Sequence, residues 1–524
     1  MTVYVNFFIH CEDFISVHSQ QATRRAAELF ARYGVKADFY LTGLVAERML
    51  ADAPETIETL KRLKMPISYH ADIHAPFPTL PQRVRNLDWD AAVDQAYIQE
   101  TSHLDPLTGD LSSKNPNQLT LITDLFGKPP IVTIGSVAGY AAQAIRFAQH
   151  KLGVPMASTN GSMLGLPLIW HNGMLRGLPG PGSYFYLTDV AGAKPGEREH
   201  STPLEAILTE QIARLPAERD ALISFGVHDF SFALTDGWIG CYRDPDSGRF
   251  RNPRGLWTSP PLSIENQERI WQVYENLVAF CAHNSLLSVI TAEDMLTWVK
   301  PLDDTITLLQ PDIFTVANQL LDGWAGPGYP PDHAEASENI LSLADCFQVM
   351  VKTLTCFHRQ GVLPEQVEIR ELLGPTDTPV GLAIQRGEMR PRQLIDGTVV
   401  IEKSAELDAL MKDRIPGVIN LVGQDQFHLP MFSFGLMPNQ LEGHLNPAEF
   451  LYLAAQEVLS IFRTGKPGPA LLMGSNMFPH YPEMRWVENR FPPFAVIQEN
   501  YFMQEWLSEL QSWTIKPARL KRKE

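Results

Sequence analysis

The chain opens with the apolar run VYVNFFI at residues 3–9, and the segment HCED follows it directly at residues 10–13. A continuous run of β-branched and aromatic residues predicts a strand that is buried on both faces. The two acids, Glu12 and Asp13, stand where this strand reaches the surface, which is a common place for an active site in α/β proteins. This stretch therefore indicates both the class of fold and the position of its chemistry.

Helices and strands alternate after this first strand. Helical spacing of Ala22, Ala26 and Leu29 predicts a helix over 19–33 that ends at Gly34. The next expected elements are a strand at 35–41, a helix at 44–64 and a short strand at 65–68. Later strands are expected at 130–134, 154–158, 221–227 and 287–290, and later helices at 141–152, 203–215, 264–283 and 291–299. This order is typical of a parallel α/β domain or barrel, which we end near residue 300.

The third strand leads into ISYHADIHAP at residues 67–76. Its histidines, His70 and His74, lie four residues apart, a spacing that puts both imidazoles on one face of a helical turn. A His-x-x-x-His pair alone is often incidental. A hydrolytic metal site usually adds a third ligand, frequently a carboxylate, and the acids that end the first strand offer one.

Composition excludes several classes of protein. The chain has 524 residues, of which 44% are hydrophobic and 20% charged, as expected for a globular protein of two or three domains. A net charge of -17 argues against nucleic-acid binding. Five cysteines without a CxxC pair argue against a disulfide framework and favour a reducing compartment. The sequence shows neither an export signal nor a membrane span, so we expect a cytoplasmic location.

Over about the first 300 residues the chain resembles the polysaccharide deacetylase family, whose fold is an irregular parallel (β/α) barrel. Four segments match the family's signatures in order: IHCED at 9–13, VKADFYLTG at 35–43, HADIHAP at 70–76 and ISFGVH at 223–228. The proline of the third segment stands one place later than usual. The resemblance implies a hydrolase that uses a divalent metal.

The resemblance also assigns roles to individual residues. Asp13, His70 and His74 would hold the metal, Glu12 would be the general base, and His228 would protonate the leaving nitrogen. Zinc is the first candidate, with nickel, cobalt, iron or manganese as alternatives. A metal polarises an amide carbonyl and makes hydroxide available near neutral pH, and a carboxylate and an imidazole can divide the proton transfers.

Other interpretations of these residues stay open. Glu12 could be a metal ligand or an outer partner of one, and His228 could be a buried histidine bonded to Asp229. His10 and Cys11 could add ligands, although a small core residue is the simpler interpretation of Cys11.

The sequence departs from the family pattern at two points. The family's base is usually Asp, and Glu12 is one methylene longer. The family's third motif carries an Arg that pairs with the base, whereas the best alignment places Gly135 there. Another arginine, from the segment 243–254, could replace it. The same alignment gives the backbone N–H of Ala138 as an oxyanion donor.

Residues 301–524 form the expected second domain, a smaller α/β unit with an internal duplication. Residues 341–375 and 445–479 align without gaps at a constant offset of 104 residues. Each copy opens with a capping box, Ser342 with Asp345 and Asn446 with Glu449, and each helix is followed by an Arg-x-Gly stop. Strands are expected between the copies at 398–402 and 418–421. The units faintly resemble the pseudomurein-binding repeat, which implies cell-wall binding; a structural or dimerising role is an equal alternative.

These observations predict a metal-dependent hydrolase of a non-peptide C–N bond, with N-deacetylation of a small-molecule or glycan amide as its reaction. One alternative is hydrolysis of a formyl or cyclic amide. Another is a catalytically inactive barrel that binds carbohydrate or assembles with other proteins. The expected partners are the amide substrate and, as an open alternative, further copies of the chain.

Overall fold

A computed structural model describes residues 3–71, 80–84, 87, 89–106, 108–134, 139–157, 168–171, 173–177, 184–186, 204–213, 221–235, 260–303, 305–324, 330–370, 447–468 and 511–519. Within these residues the strands are β1 (Val3–Cys11), β2 (Asp38–Leu41), β3 (Ile67–His70), β4 (His103–Leu104), β5 (Leu111–Ser112), β6 (Val132–Ile134), β7 (Met156–Ala157), β8 (Leu168–His171), β9 (Met174–Gly177), β10 (Tyr184–Tyr186), β11 (Ala221–His228), β12 (Leu287–Ile290), β13 (Thr305–Leu309), β14 (His333–Ala336), β15 (Asn339–Ser342), β16 (Gln366–Arg370) and β17 (Lys516–Pro517).

The helices in the same residues are α1 (Val17–Arg32), α2 (Gly43–Asp52), α3 (Pro54–Arg62), α4 (Leu80–Val84), α5 (Trp89–Glu100), α6 (Leu119–Phe126), α7 (Gly139–Lys151), α8 (Leu204–Ala213), α9 (Ile264–His283), α10 (Ala292–Trp298), α11 (Gln310–Gly323), α12 (Leu343–Gln360) and α13 (Pro447–Thr464). Short 3₁₀ helices cover Asp229–Phe232 and Gln511–Thr514.

A mostly parallel sheet organises the described part of the first 300 residues. Its strand order is β10-β11-β1-β2-β3-β6-β7-β9-β8-β17, and β12 also pairs with β1. Strand β8 runs antiparallel to β9 and β17, while β1 is parallel to all three of its partners. Residues 3–10 of β1 pair with β11, residues 3–6 with β12, and residues 8–11 with β2. The chain therefore delivers residues 10–13 to the carboxyl edge of the sheet, between β11 and β2.

Side chains of β1 alternate between two cores, because successive residues of a strand project from opposite faces. The odd-numbered residues from Val3 to Cys11 belong to the core between the sheet and helices α1, α2, α3 and α9. Phe8 belongs to a separate core with Tyr40 of β2 and Ile134 of β6. His10 and Glu12 continue the alternation of Phe8, so they lie on the face away from those four helices.

Most predicted elements of this region are confirmed within a few residues, including the strands at 3–9, 221–227 and 287–290 and the helices at 19–33 and 264–283. The helical character predicted over 44–64 is confirmed, although it is divided between two helices, α2 and α3. Ala53 leaves the helical region, with φ of -147° and ψ of 56°, and Pro54 starts a second helix. Proline has no N–H to continue the preceding helix and is tolerated in a first turn, which explains the break.

The predicted α/β class with a mostly parallel sheet is confirmed. In the described residues the sheet ends at β10 on one side and at β17 on the other, and no pairing there joins the two ends. Closure into a barrel therefore stays a prediction.

A further core lies beyond residue 300, built on α11, α12 and α13. The capping box of Ser342 and Asp345 is confirmed at the start of α12, and Gly361 ends that helix with φ of 74°. Gly465 has φ of 71° just after α13, as the repeat predicts. Asn446 and the strands expected at 398–402 and 418–421 lie outside the described residues. The domain boundary near residue 300 and the relation to pseudomurein-binding repeats stay predictions.

The C-terminal segment 511–519 contacts both regions. Trp513 is fully buried in the core of α12 and α13. Lys516 forms a buried ion pair with Asp345, with Nζ 2.9 Å from Oδ2, while β17 pairs with β8. This segment therefore ties the cap of α12 to the edge of the large sheet.

A search of the described helices finds none with the length and apolar character that crossing a bilayer requires.

Candidate metal centre

Three strands bring polar side chains to one point at the carboxyl edge of the sheet. His10 lies at the end of β1, with Glu12 two residues later, while His70 ends β3 and His228 ends β11. His10 and His228 are register partners in the parallel β1–β11 pair, so they project from the same face. The fold thus gathers residues that are far apart in the sequence.

One carboxylate oxygen is the common contact of the three imidazoles. Oε1 of Glu12 lies 2.9 Å from Nε2 of His70, 3.6 Å from Nδ1 of His10 and 3.6 Å from Nε2 of His228. The side chains of His10, Glu12 and His70 are almost completely buried, whereas that of His228 is 21% exposed. His228 is therefore the most exposed of these four side chains.

The ring of His70 is oriented by its own backbone. Its Nδ1 lies 3.0 Å from the carbonyl oxygen of Ala71, which can only accept, so Nδ1 is the donor. In a neutral ring Nε2 then presents a lone pair to Oε1 of Glu12. Two acceptors 2.9 Å apart repel each other unless a proton or a metal cation lies against both.

The donor set fits a divalent metal. His10, Glu12 and His70 offer ligand atoms that all lie within 4.8 Å of one another. Two imidazole nitrogens and one carboxylate oxygen are the protein ligands of many catalytic zinc sites, which keep a further position open. A hydrogen bond from the other ring nitrogen, as at His70, is the usual way in which a metal-binding imidazole is held.

Asp13, predicted as a metal ligand, points to the start of α1 instead. Its Oδ1 accepts hydrogen bonds from the backbone N–H groups of Ile15 at 2.9 Å and Ser16 at 3.2 Å, and its Oδ2 accepts from the Ser19 hydroxyl at 2.6 Å. Burial raises the pKa of Asp13, and these hydrogen bonds oppose the rise. Glu12 projects with His10, so the next residue along the chain turns away from the histidines. Among the described residues, His10 and not Asp13 joins Glu12 and His70 in the group that could hold a metal ion.

His228 lies beside the group of three, with its Nε2 3.6 Å from Oε1 of Glu12. It is close to Glu12 but does not belong to the group of His10, Glu12 and His70. Its ring stacks on His10, with centroids 5.1 Å apart, and on Phe230, with centroids 4.8 Å apart. These two contacts fix the plane of the imidazole, so that its Nε2 edge faces Oε1 of Glu12.

Asp229 is buried behind the site. Burial raises the pKa of Asp229 well above its ordinary value, and the nearby charges of Asp13 and Glu12 raise it further. Its Oδ1 accepts a hydrogen bond from the backbone N–H of Phe230 at 2.8 Å, which starts the 3₁₀ turn after β11. Asp229 therefore stabilises the turn that follows His228. This hydrogen bond accounts for the buried position of the Asp229 side chain without a bond to His228.

The remaining predicted residues fall into two groups. Cys11 faces the helical layer, where its Sγ lies 3.5 Å from Oγ1 of Thr23, in agreement with a core role. His74, Gly135, Ala138 and the arginines of 243–254 lie outside the described residues, so their roles stay predictions.

The sequence gives His10 only as an alternative ligand, although it contains a more direct signal for this residue. In a strand, residues 10 and 12 share a face and residue 13 does not. At the end of a buried strand, the pattern His-x-Glu places two side chains on one face. It therefore indicates two ligands of a single site more directly than two adjacent acids do.

No protein-family model matches the chain, and no curated protein sequence matches it. Solved structures with partial similarity include a 4-alpha-glucanotransferase from Thermococcus litoralis, with TM-score 0.36 and 10% identity over 57% of this chain and 41% of that one. A family 4 carbohydrate esterase from Streptomyces lividans has TM-score 0.24 and 12% identity over 52% and 89% of the two chains. A probable polysaccharide deacetylase from Pseudomonas aeruginosa PAO1 has TM-score 0.32 and 11% identity over 56% and 90%. This chain thus spans less than half of the glucanotransferase, and similarities this low assign no function.

Proposed function

We propose that this chain is a metal-dependent hydrolase of a non-peptide C–N bond, with N-deacetylation as its reaction. The convergence of His10, Glu12 and His70 beside His228 carries the proposal. The group lies at the carboxyl edge of a parallel sheet, which is where α/β enzymes usually have their active sites. The order of sequence signatures in the first 300 residues supports the same class of reaction.

His10 and His70 would hold the metal as neutral nitrogen donors, and Glu12 would hold it as the anionic donor. When bound, the metal polarises an acyl oxygen and lowers the pKa of a water molecule. Zinc is our first choice, and nickel, cobalt, iron and manganese accept the same donors. Glu12 acting as a ligand corresponds to one of the alternatives that the sequence left open.

His228 would transfer protons. Its greater exposure lets a substrate approach the ring, and its stacking on His10 and Phe230 holds the ring in one plane. In its protonated form His228 would donate to the leaving nitrogen, so that an amine and not an amide anion departs. A positioned imidazole of this kind typically contributes about 10²–10⁴-fold to the rate.

A screen of the purified protein tests this proposal. The metal-loaded chain is incubated with N-acetylated amino sugars, N-acetylated polyamines, formamides and cyclic amides, and released acid or ring opening is measured. We expect turnover of at least one acetamide, lost in His70→Ala and retained in His103→Ala. His103 is a partly exposed histidine that contacts Glu47, outside the centre, and serves as the matched control.

Two results would contradict the proposal. Turnover that is equal in His70→Ala and the unmodified chain would remove the centre from the reaction. A metal-loaded chain that turns over none of these substrates, yet binds a glycan, would favour the alternative of an inactive carbohydrate-binding protein.

A further inference from the structure

A second group of ionisable side chains lies apart from the candidate metal centre. It consists of Arg146 and His150 of α7 together with His171 and Arg176 of the β8–β9 hairpin, and we call it the basic cluster. Nothing in the proposed hydrolysis uses these residues.

Contacts between α7 and the hairpin bring the cluster together. Arg146 and His150 lie four residues apart, on one face of α7. The His150 ring lies against the hairpin turn, since a Cβ atom on Gly173 would stand 2.5 Å from its Nε2. Arg176 donates a hydrogen bond to Nδ1 of His171. Burial lowers the pKa of Arg176, and the nearby charge of Arg146 lowers it further. The two guanidinium groups therefore occupy one buried layer.

The sheet separates this layer from the candidate metal centre. Tyr69, Thr133, Ala157 and Arg176 are successive register partners across β3, β6, β7 and β9, so their side chains project from one face. The Thr133 hydroxyl donates to Gln149 of α7 at 2.6 Å, which shows that this face is the one covered by α7. The residue after Tyr69 projects from the opposite face, toward Glu12. Three strand spacings, about 14 Å, also separate Arg176 from β3.

Arg146 is a buried charge for which the described part of the chain supplies no counter-ion. It is 6% exposed, and burial lowers its pKa to about 10, so it remains positive at neutral pH. Its Nη2 is buried and has no hydrogen-bond partner, and no carboxylate in the described part of the chain forms an ion pair with it. Burying an unpaired charge is strongly unfavourable, and a second guanidinium nearby makes it more so. A ligand with negative charge would remove both penalties.

We propose that the basic cluster binds a small oxyanion, either a carboxylate or a phosphate-type group, between α7 and the β8–β9 hairpin. The planar fork of Arg146 presents paired N–H donors that match two oxygens of such an anion. Arg176 adds charge beside the ring of His171, and the ring of His150 lies against the hairpin turn. The bound anion would tie α7 to the hairpin and thereby hold Gln149, which accepts from Thr133 and donates to Glu100 at 2.8 Å.

Thermal unfolding of the dialysed full-length chain tests this proposal. Sodium phosphate and sodium acetate are titrated over the low millimolar range against sodium chloride of equal ionic strength. We expect a saturable rise in Tm with one of the two anions, present in Arg48→Met and absent in Arg146→Met. Arg48 lies on α2, is half-exposed and pairs with Asp52, so its substitution controls for the loss of one positive charge. A response to phosphate alone identifies a tetrahedral anion, and a response to acetate alone identifies a carboxylate.

The proposal is overturned if neither anion raises Tm beyond chloride, or if Arg146→Met responds as the unmodified chain does. Should Arg146→Met fail to fold, Arg146→Lys retains the charge without the fork. In that variant we expect half-saturation at a concentration at least about tenfold higher. Unchanged half-saturation would also overturn the proposal.

Discussion

Oε1 of Glu12 lies 2.9 Å from Nε2 of His70, on a ring whose Nδ1 is committed to the carbonyl oxygen of Ala71. The contact joins the end of β1 to the end of β3. Its geometry requires positive charge between the carboxylate and the imidazole, either a proton on His70 or a cation bound to both. His10 offers a further nitrogen at the same point, which favours the cation.

Replacing Glu12 by Gln retains the shape of the side chain and removes its charge. We expect the metal affinity to fall by more than the roughly 10–100-fold that loss of an outer partner of a ligand costs. Competition with a chelator measures this change. Glu47→Gln, at a partly exposed carboxylate that accepts from Asn117, is the control that should leave the affinity unchanged. Equal affinity in Glu12→Gln and the unmodified chain would show that Glu12 is not a ligand.

Asp13→Ala should weaken folding and leave the metal in place. The substitution removes the acceptor of two backbone N–H groups and of the Ser19 hydroxyl, all at the start of α1. The expected loss is about 1–3 kcal/mol in the free energy of unfolding, measured by urea denaturation. Ser19→Ala removes one of these hydrogen bonds and should cost less. If Asp13→Ala unfolds like the unmodified chain, the capping role assigned to Asp13 is wrong.

The two adjacent acids, Glu12 and Asp13, show which features local sequence predicts and which it does not. The apolar run at 3–9 predicts β1, and Gly34 and Gly361 predict helix ends, because these signals are local. The choice between Glu12 and Asp13 depends on which face of β1 each one takes. Local composition makes two neighbouring carboxylates look equivalent, whereas the alternation of the strand separates them.

Long-range pairing was harder to predict than local structure. The contact between His10 and His228 depends on the parallel register of β1 and β11, whose sequence positions differ by more than 200 residues. No local pattern encodes that register. The family resemblance predicted that His228 joins the site, and it predicted Asp13 in place of His10. The helix break before Pro54 is predictable from the sequence, since proline at the start of a helix is a local signal.

His228→Gln should slow hydrolysis without removing the metal. Gln retains a polar group beside Glu12 and cannot carry a proton to the leaving nitrogen, so kcat/KM should fall about 10²–10⁴-fold. Steady-state kinetics and metal analysis of the same sample measure both quantities. Loss of the metal in this variant would instead make His228 a ligand, and an unchanged kcat/KM would exclude it from proton transfer.

Asp38 should make stability depend on pH. Its Oδ2 accepts from Asn6 at 2.6 Å and from the backbone N–H of Ala292 at 3.0 Å, yet burial raises its pKa to about 7. Between about pH 4 and pH 7 the folded chain binds a proton that the unfolded chain has lost, so the free energy of unfolding falls as pH rises through this window.

Asp38→Asn should flatten that decline, by an amount on the order of a few kcal/mol across the window. Urea denaturation of both proteins at several pH values measures the difference in slope. Asp52→Asn, at a partly exposed carboxylate, is the matched control and should retain the decline. Parallel stability profiles for Asp38→Asn and the unmodified chain would contradict the assignment.

Metal content tests the central claim most directly. Elemental analysis of the purified chain, loaded and then desalted, should give about one equivalent of a divalent transition metal per chain. That equivalent should be lost in His10→Ala and in His70→Ala, and retained in Asp13→Ala, since His10 and not Asp13 completes the group with Glu12. Retention of the metal in His10→Ala together with its loss in Asp13→Ala would contradict this account.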